Sequence, residues 1–226
     1  MRTRTARYAR ASSESVGQSP KIESIIVEAW LKGHCMRVSS TFYLSLIVLL
    51  VLALEYLYLG DVLEYRRATA FTEPWRLLTG HYVHLSLVHA LLNGVALLLL
   101  GRLFANRLRP VELWTLLAAT PVVVSLLFWM LMPELHWYRG LSGVLHSIYF
   151  AGCVAWIAET TGRARWLPIA ALIGGTLKVL IEQPWDSSFP THEWLRVAVV
   201  PQAHLIGAVV GTSAGLWIKH VRRPAR

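Results

Sequence analysis

The residues with the clearest chemical potential are one serine and several histidines inside apolar stretches of the chain. Ser142 begins one such stretch, His89 lies early in another, and His204 lies early in a third. A serine hydroxyl is a weak nucleophile until a neighbouring base takes its proton, and histidine is the usual base. The chemistry that this set of residues permits is therefore nucleophilic acyl transfer.

Acyl transfer also needs hydrogen-bond donors aimed at the oxyanion that develops in the transition state. His89 and Asn93 are spaced i,i+4, so both side chains project from one helical face and are candidates for this role. The backbone N–H of Ser142, near a helix N-terminus, is a third candidate. The aspartates, Asp61 and Asp186, lie in predicted outer loops. We therefore expect a Ser-His dyad, with no acid available to complete a triad.

Membrane-spanning helices must bring these side chains together, because the chain is too apolar for a soluble domain. Of its 226 residues, 55% are hydrophobic and 15% are charged, with a mean hydropathy of +0.47. Soluble domains carry about 25% charged residues, and a helix that spans a bilayer needs about 20 mostly apolar residues. The same apolar content excludes a disordered chain. Six stretches qualify as candidate spans: 42–60, 83–101, 112–132, 142–159, 165–182 and 198–218.

The rise of a helix, about 1.5 Å per residue, gives the depth of each candidate residue in the bilayer. Measured from the charge at the cytoplasmic end of its span, Ser142 lies about 26 Å up, His204 about 22 Å and His89 about 20 Å. In a hydrocarbon core of about 30 Å, all three fall in the outer third. The sequence thus predicts an all-α, polytopic bundle of six transmembrane helices with one site near its outer side.

The distribution of positive charge predicts the orientation. With the N-terminus inside, 16 of the 22 lysines and arginines lie in inner segments and five in outer ones, while Lys178 lies within a span. This bias places both termini in the cytoplasm. The excess of lysines and arginines in the inner segments explains the net charge of +9 as a signal of membrane orientation. We therefore expect no nucleic-acid partner. The predicted parts are a basic tail (1–41), a membrane domain (42–218) and a short basic tail (219–226).

The N-terminal tail does not have the pattern of a signal peptide, because no apolar core follows its arginines promptly. Apolar residues at helical spacing over residues 22–30 predict a short interfacial helix. Alternatively, translation starts at Met36, directly before the first span. The two cysteines, Cys35 and Cys153, are expected to be unpaired, since one lies in the tail and the other in an apolar stretch.

Four blocks of the sequence, in order, resemble the rhomboid intramembrane serine proteases. The blocks are Trp75-Arg76, His84-Leu85-Ser86-x-x-His89-x-x-x-Asn93, Gly140-x-Ser142-Gly143 and Ala203-His204-x-x-Gly207-x-x-x-Gly211. The resemblance covers about residues 42–218 and therefore all six predicted spans. It implies a rhomboid-like helical bundle that cleaves a peptide bond within the membrane, without a cofactor or a metal ion.

The resemblance also implies a role for each matching residue. Ser142 would be the nucleophile and His204 the general base. His89, Asn93 and the amide of Ser142 would form the oxyanion hole. Gly143, Gly207 and Gly211 would let the fourth and sixth helices approach closely, as small residues do in membrane proteins. The fifth helix would be the mobile gate for substrates, which would be single-span membrane proteins reaching the site among membrane lipids.

One position departs from the rhomboid pattern. Typical members have a tyrosine four residues after the nucleophile, stacked on the catalytic histidine, where this chain has His146. The string from His136 to His146 and the motif Lys178-x-x-x-Glu182-Gln183 are more similar to the rhombosortase branch. That branch is associated with exported bacterial proteins whose C-terminal Gly-Gly sorting tail is cut within the membrane. It implies an inner-membrane protein of a bacterium with its site facing the periplasm.

Several of these residues also have structural interpretations. Taken alone, the motif Gly140-x-Ser142-Gly143 is typical of small-residue packing between membrane helices. Because His89 and His204 lie at the same depth as Ser142, packing alone is the less favoured interpretation. For His84 we favour a structural role in which the ring bonds to loop backbone. A metal ion bound by His81, His84 and His89 together with His204 is disfavoured, because their spacing fits no recognised zinc pattern and no carboxylate or thiolate joins them.

Two residues near the predicted site keep alternative roles. Lys178 is expected to pair with Glu182, at i,i+4, or with Glu55 of the first span. A Ser-Lys base, or a contact to substrate or to a lipid headgroup, is the less favoured alternative. His146 either orients His204 or only packs against it.

Two rival functions remain beside a protease that cuts Gly-Gly sorting tails. One is a rhomboid protease with other single-span substrates, and the other is a catalytically silent rhomboid-like protein that binds membrane clients. A dyad also does not determine whether the acyl group passes to water or to an amine acceptor. The sequence does not indicate an oligomeric state.

Overall fold

The computed structural model describes residues 43–183, 191–192 and 197–222, and within these ranges the protein is mostly helical. The predicted interfacial helix at residues 22–30, the start at Met36 and Cys35 lie outside the described residues. Cys153 is buried and unpaired.

The helices and strands follow one another in an order that matches the predicted spans. The helices are α1 (Tyr43–Tyr56), α2 (Gly60–Leu63), α3 (Arg76–Thr79), α4 (Leu87–Leu103), α5 (Pro110–Leu131), α6 (Ser142–Glu159), α7 (Trp166–Ile181) and α8 (Pro201–Val221). Short antiparallel strands pair β1 (Tyr65–Arg66) with β2 (Trp137–Tyr138), and β3 (Thr191–His192) with β4 (Val197–Ala198). The 3₁₀ turns Arg67–Thr69 and Gly162–Arg165 complete the described elements.

Two of the long helices are by themselves apolar and long enough to cross a membrane. They are Pro110–Leu131, with mean hydropathy 1.9, and Gly162–Ile181, which includes α7 and has mean hydropathy 1.4. The helices α1 and α4 are apolar but shorter. The helices α6 and α8 contain many small and polar residues, and their glycines lie where the two helices pack closely. That all six long helices span the membrane stays a prediction.

The first two predicted spans do not form continuous helices. In the first, α1 ends at Tyr56, and Tyr58 has a positive φ of 54° before α2 begins at Gly60. In the second, α4 begins only at Leu87, because the side chain of Ser86 caps the helix. The prediction of helix over all of 42–60 and 83–101 was therefore wrong at these ends.

The helix α6 forms the centre of the bundle. Its buried residues Leu145, Ile148 and Ala151 belong to one apolar core, which also contains Leu97 of α4 and Leu116 of α5. α8 packs along α6, and its Ile218 belongs to the same core. The helices α4, α6 and α8 all begin at the same end of the bundle, and α7 ends there.

Glycines allow the backbones of α6 and α8 to touch. A Cβ at Gly207 would overlap the carbonyl oxygen of Gly143, and one at Gly211 would lie 2.7 Å from the Cα of Ser147. A Cβ at Gly143 would lie 2.9 Å from the carbonyl oxygen of Ala203. Larger residues at these positions would force the two helices apart, so the predicted close approach is present.

Ion pairs fasten the loop that leads into α6. Arg139 pairs with Asp61 and, at 2.7 Å, with Glu64, whose side chain is buried. Arg76 is also buried and donates to the backbone oxygens of Asp61 and Glu64, both at 3.1 Å. Together with the β1–β2 pair, these contacts hold residues 137–139 against the loop that follows α1.

A second ionic cluster lies at the other end of the bundle. Arg222, just after α8, pairs with Glu112 of α5 and with Glu159 of α6, the latter at 2.9 Å. Arg107 pairs with the other oxygen of Glu159, also at 2.9 Å. These contacts fix the ends of three helices relative to one another, far along α6 from Ser142.

Candidate active site

The structure brings Ser142 and His204 into hydrogen-bond contact. Ser142 is the first residue of α6, and His204 lies in the first turn of α8. The Oγ of Ser142 is 2.9 Å from the Nε2 of His204, a distance at which the hydroxyl can donate its proton to the ring. His204 is buried, at 6% exposure, so the packing of α8 on α6 holds its position.

A strained turn presents Ser142 to the site. Gly140 has a φ of +137°, a conformation that residues with a Cβ rarely adopt, and a Cβ there would lie 3.2 Å from the ring of His89. Its N–H donates to the oxygen of Gly80 at 3.2 Å, and its oxygen accepts from the Tyr138 hydroxyl at 2.7 Å. Burial raises the pKa of Tyr138 to about 12, so this hydroxyl stays protonated and can donate.

His89 and Asn93 face Ser142 across a shared cavity. The Ser86 hydroxyl accepts from the His89 N–H at 3.2 Å, and this cap fixes the start of α4. The side-chain amide of Asn93 donates to the His89 carbonyl at 3.2 Å, which uses one of its two N–H groups. The second N–H of Asn93 and the Nε2 of His89 are therefore available to a group bound beside Ser142.

Three helix N-termini meet at this site. The first turns of α4, α6 and α8 carry His89, Ser142 and His204, respectively. Each N-terminus has unpaired N–H groups and a positive partial charge of about half a unit. The arrangement therefore favours a negative charge that develops next to Ser142.

His146 stacks on His204. The ring centroids are 4.2 Å apart and the planes differ by 15°. The Nδ1 of His146 is 2.8 Å from the carbonyl oxygen of Ser142, one turn earlier on α6. His146 thus occupies the stacking position that a tyrosine fills in typical rhomboids, and it contacts His204 directly.

A carboxylate lies at the far side of the His204 ring, which corrects the expectation that no acid is available. The Nδ1 of His204 is 3.0 Å from the Oε2 of Glu182, the residue that follows α7. The same oxygen is 2.7 Å from the Nζ of Lys178. The prediction considered only aspartates as acids and treated Glu182 as a partner of Lys178. One carboxylate oxygen accepts from both residues, and Lys178 pairs with Glu182 rather than with Glu55.

These contacts fit together in one pattern of donors and acceptors. The Lys178 ammonium can only donate, and it lies 3.2 Å from the Nε2 of His146, which must accept. The Nδ1–H of His146 then donates to the Ser142 carbonyl. In the same way, the Nδ1–H of His204 donates to Glu182, which leaves its Nε2 to accept from the Ser142 hydroxyl. This pattern satisfies both ring N–H groups and gives His204 the tautomer that a general base needs.

A cavity of about 750 Å³ opens beside Ser142, between α4 and α7. The side chains at its polar end are His89, Asn93, Ser142, His146, Lys178, Glu182 and His204. Leucines of α4 and α6, Tyr149 and the paired glycines Gly174 and Gly175 line its apolar part. The cavity thus offers an apolar groove that leads to a polar end with a serine.

One group of side chains in the described residues has the composition of a metal site. The ligand atoms of His146, Glu182 and His204 lie within 4.8 Å of one another. The ammonium of Lys178 contacts two of the three residues and already supplies a positive charge there. The arrangement is accounted for by hydrogen bonds, and the absence of a metal ion from the mechanism stays a prediction.

The remaining predicted residues lie outside the cavity. Trp75 is half exposed at the start of α3, and Arg76 fastens the outer loop. His84 is buried with its ring 4.8 Å from that of His89. Within the described residues its ring nitrogens make no hydrogen bond, so the predicted bond from this ring to loop backbone was wrong. His84 supports His89 by ring contact instead.

Two contributions to the site were missed in the sequence. Tyr138 interacts with the side chain of Ser142 and with the backbone of Gly143, besides holding the turn at Gly140. The available signal in the sequence was a tyrosine four residues before a candidate nucleophile. The contact of Glu182 with His204 was the other, and its signal was a second ionisable residue at the outer end of the fifth span.

The fold and the site agree with the result of comparing the chain with known families. The sequence pattern of the rhomboid domain matches residues 72–220, more than half of the chain, and the chain therefore belongs to the rhomboid family. Members of this family are multi-pass membrane proteins and are in general intramembrane serine proteases. A comparison with curated proteins gives no match. The resemblance seen in the sequence is thus confirmed at the level of the superfamily.

Proposed function

We propose that the protein is an intramembrane serine endopeptidase in which Ser142 is the nucleophile and His204 the general base. The observation that carries this proposal is the 2.9 Å contact between the Ser142 Oγ and the His204 Nε2. A histidine nitrogen at this distance can take the hydroxyl proton as the oxygen attacks a carbonyl carbon. The intact pair also argues against a silent client-binding protein.

The reaction has two halves. The Ser142 Oγ bonds to the carbonyl carbon of the substrate while its proton moves to the Nε2 of His204. The tetrahedral intermediate then expels the amine half of the substrate, which takes that proton from His204, and an acyl-enzyme ester remains. In the second half, water attacks the ester and gives one proton to His204. The proton returns to the Ser142 oxygen as it leaves, and the carboxylic acid product is released.

The oxyanion of each tetrahedral intermediate would be held at the meeting point of the three helix N-termini. The donors are the second N–H of Asn93, the ring of His89 and the backbone N–H of Ser142. Removing one such donor from an acyl-transfer enzyme costs about 10² to 10³ in rate. The presence of His89, Asn93 and Ser142 in the lining of one cavity supports this assignment.

The substrate would be a single-span membrane protein that enters between α4 and α7. The apolar groove suits a transmembrane segment, and the polar end suits a segment that has left the helical conformation. Glycine lowers the cost of leaving a helix, by about 1 kcal/mol per residue relative to alanine. A C-terminal Gly-Gly sorting tail is therefore the substrate that we favour, in keeping with the rhombosortase-like residues His146, Lys178 and Glu182.

The proposed setting is the inner membrane of a bacterium. The six long helices would each span the bilayer, with both termini in the cytoplasm and the site facing the periplasm. The excess of lysines and arginines in the predicted inner segments of the sequence supports this orientation. The ionic cluster around Arg222 would then lie at the cytoplasmic end.

Cleavage of a defined substrate in proteoliposomes tests the proposal. The substrate is a single-span protein with Gly-Gly at the outer end of its span, and the matched control carries Leu-Leu there. We expect the wild type to cut the Gly-Gly protein faster, and Ser142→Ala to cut neither. Incorporation of ¹⁸O from labelled water into the acyl product indicates hydrolysis, whereas an added amine mass indicates transfer. Equal cutting of both substrates would contradict the Gly-Gly preference, and no cutting by a folded wild type would contradict the protease.

A further inference from the structure

We propose that Glu182 is a positioning residue of the catalytic group, so that the site works as a Ser-His-Glu triad held by Lys178. This inference rests on the proposed protease function and adds a third member to it. Its basis is the 3.0 Å contact between the Glu182 Oε2 and the His204 Nδ1, on the side of the ring opposite Ser142.

The contact has the geometry that a triad requires. A carboxylate that accepts from Nδ1–H leaves Nε2 as the acceptor facing the serine hydroxyl, which is the tautomer needed for a base. The same carboxylate stabilises the imidazolium that forms when His204 takes the Ser142 proton. Glu182 itself stays ionised, so the proton that leaves the serine goes to His204 and then to the departing amine.

Lys178 holds the Glu182 carboxylate, and Gln183 fastens the end of α7, which Glu182 directly follows. The Nζ of Lys178, one turn earlier, lies 2.7 Å from the oxygen that faces His204. Gln183, the next residue, is buried, and its amide donates to the oxygens of Val179 at 2.9 Å and Pro201 at 3.0 Å. Because Pro201 begins α8, this bond fastens the end of α7 to the helix that carries His204.

A simple helix-surface ion pair does not account for this arrangement. On a solvated helix surface, an i,i+4 ion pair such as Lys178 and Glu182 contributes little to stability and needs no further partner. Here the carboxylate side chain is 27% exposed and faces a buried ring that is 8% exposed. The groups that face Glu182 are Lys178 from α7, His146 from α6 and His204 from α8. Hydrogen bonds and one ring contact connect these groups to each other and, through His204, to the Ser142 hydroxyl.

The test compares Glu182→Gln with the neighbouring control Gln183→Leu. Glutamine keeps the size of Glu182 and removes its charge, whereas Gln183→Leu breaks the fastening of α7 to α8 without touching His204. Each purified full-length protein is reacted with a fluorescent fluorophosphonate over a range of concentrations. The maximal labelling rate and the half-saturating concentration are measured together with the thermal unfolding temperature. The proteoliposome assay then gives kcat and KM separately.

We expect Glu182→Gln to lower the maximal labelling rate and kcat by about 10² to 10⁴, as loss of the triad acid does in serine proteases. The half-saturating concentration, KM and the unfolding temperature should stay close to those of the wild type. Gln183→Leu should unfold at a lower temperature and, while folded, label at a rate within about tenfold of the wild type, because its effect on His204 is indirect.

Three results would overturn the triad. One is a Glu182→Gln rate within threefold of the wild type, and another is a raised KM with unchanged kcat, which would make Glu182 a substrate contact. The third is a lower unfolding temperature of Glu182→Gln, like that of Gln183→Leu, with a loss of activity that the loss of folded protein explains. Failure of the wild type to label would instead contradict the protease proposal itself, so the two failures are distinguishable.

Discussion

Gly207→Ala should separate the two helices that carry Ser142 and His204. A Cβ at position 207 would overlap the carbonyl oxygen of Gly143 and lie 2.9 Å from its carbonyl carbon. Non-bonded carbon atoms settle at about 3.5–4.0 Å, and the oxygen is nearer still than the carbon, so the helices must move apart by about 1 Å. Both clashing atoms belong to the backbone, so no side-chain rotation relieves the contact. The 2.9 Å contact between the Ser142 Oγ and the His204 Nε2 would then lengthen beyond about 3.5 Å, the end of the hydrogen-bond range.

The expected result is a loss of about 10- to 100-fold in the rate of fluorophosphonate labelling. A displacement of a catalytic group by about 1 Å lowers the reaction rate by up to about this factor. Overpacking should also lower the free energy of unfolding by about 1–3 kcal/mol, measured by thermal unfolding in detergent micelles. The matched control is Gly174→Ala on α7, where an added Cβ meets nothing within 4 Å. That variant should label like the wild type and be equally or more stable. A Gly207→Ala protein that labels and unfolds like the wild type would refute the reasoning.

Asn93→Ala should lower kcat by about 10² to 10³ with little change in KM, since one oxyanion donor is lost; an unchanged rate would exclude that role. His146→Ala should slow labelling by removing the ring stacked on His204, whereas His146→Phe, which keeps an aromatic ring there, should slow it less. Equal effects of the two substitutions would show that stacking is not what matters. Arg139→Ala leaves the buried Glu64 carboxylate with fewer partners and should lower the unfolding free energy by about 1–3 kcal/mol. Unchanged thermal unfolding of that variant would mean that the loop before Ser142 is held by other contacts.

The meeting of Ser142, His204 and His89 could be predicted from the sequence for a simple physical reason. Helices that cross a layer of fixed thickness place their residues at depths set by the rise per residue. The level of a side chain therefore follows from its distance to the charged end of its span. The structure brings all three residues to the polar end of one cavity. The close approach at Gly143, Gly207 and Gly211 was implied by the resemblance to the rhomboid family, and it agrees with the use of small residues where membrane helices pack.

The role of Glu182 could not be predicted in this way. Whether a side chain at the end of α7 contacts α8 depends on the rotation of α7 about its own axis, and sequence periodicity fixes that rotation only loosely. Pairing with Lys178 is local and could be predicted from spacing alone. The contact with His204 is a tertiary contact, held in place by Gln183 and the start of α8.

The ends of the first two helices also could not be predicted from hydropathy. Apolar residues continue past Tyr56 and begin before Leu87, whereas the helices do not. The Ser86 hydroxyl accepts from the backbone N–H of His89 and so caps the start of α4 at Leu87. A hydropathy average does not contain this effect. The strands β1 and β2 are two residues each, too short for any alternation pattern to appear.

The most direct measurement is fluorophosphonate labelling of the wild type, Ser142→Ala and His204→Ala, with the modified residue identified by mass spectrometry of peptides. Labelling is measured both in native membranes and in detergent, and each variant is checked for folding by its unfolding temperature. An activated serine at the site predicts a label on Ser142 in the wild type and none in either folded variant. A wild type without label in native membranes, or a label that persists in Ser142→Ala, would contradict the assignment of this site as a serine protease.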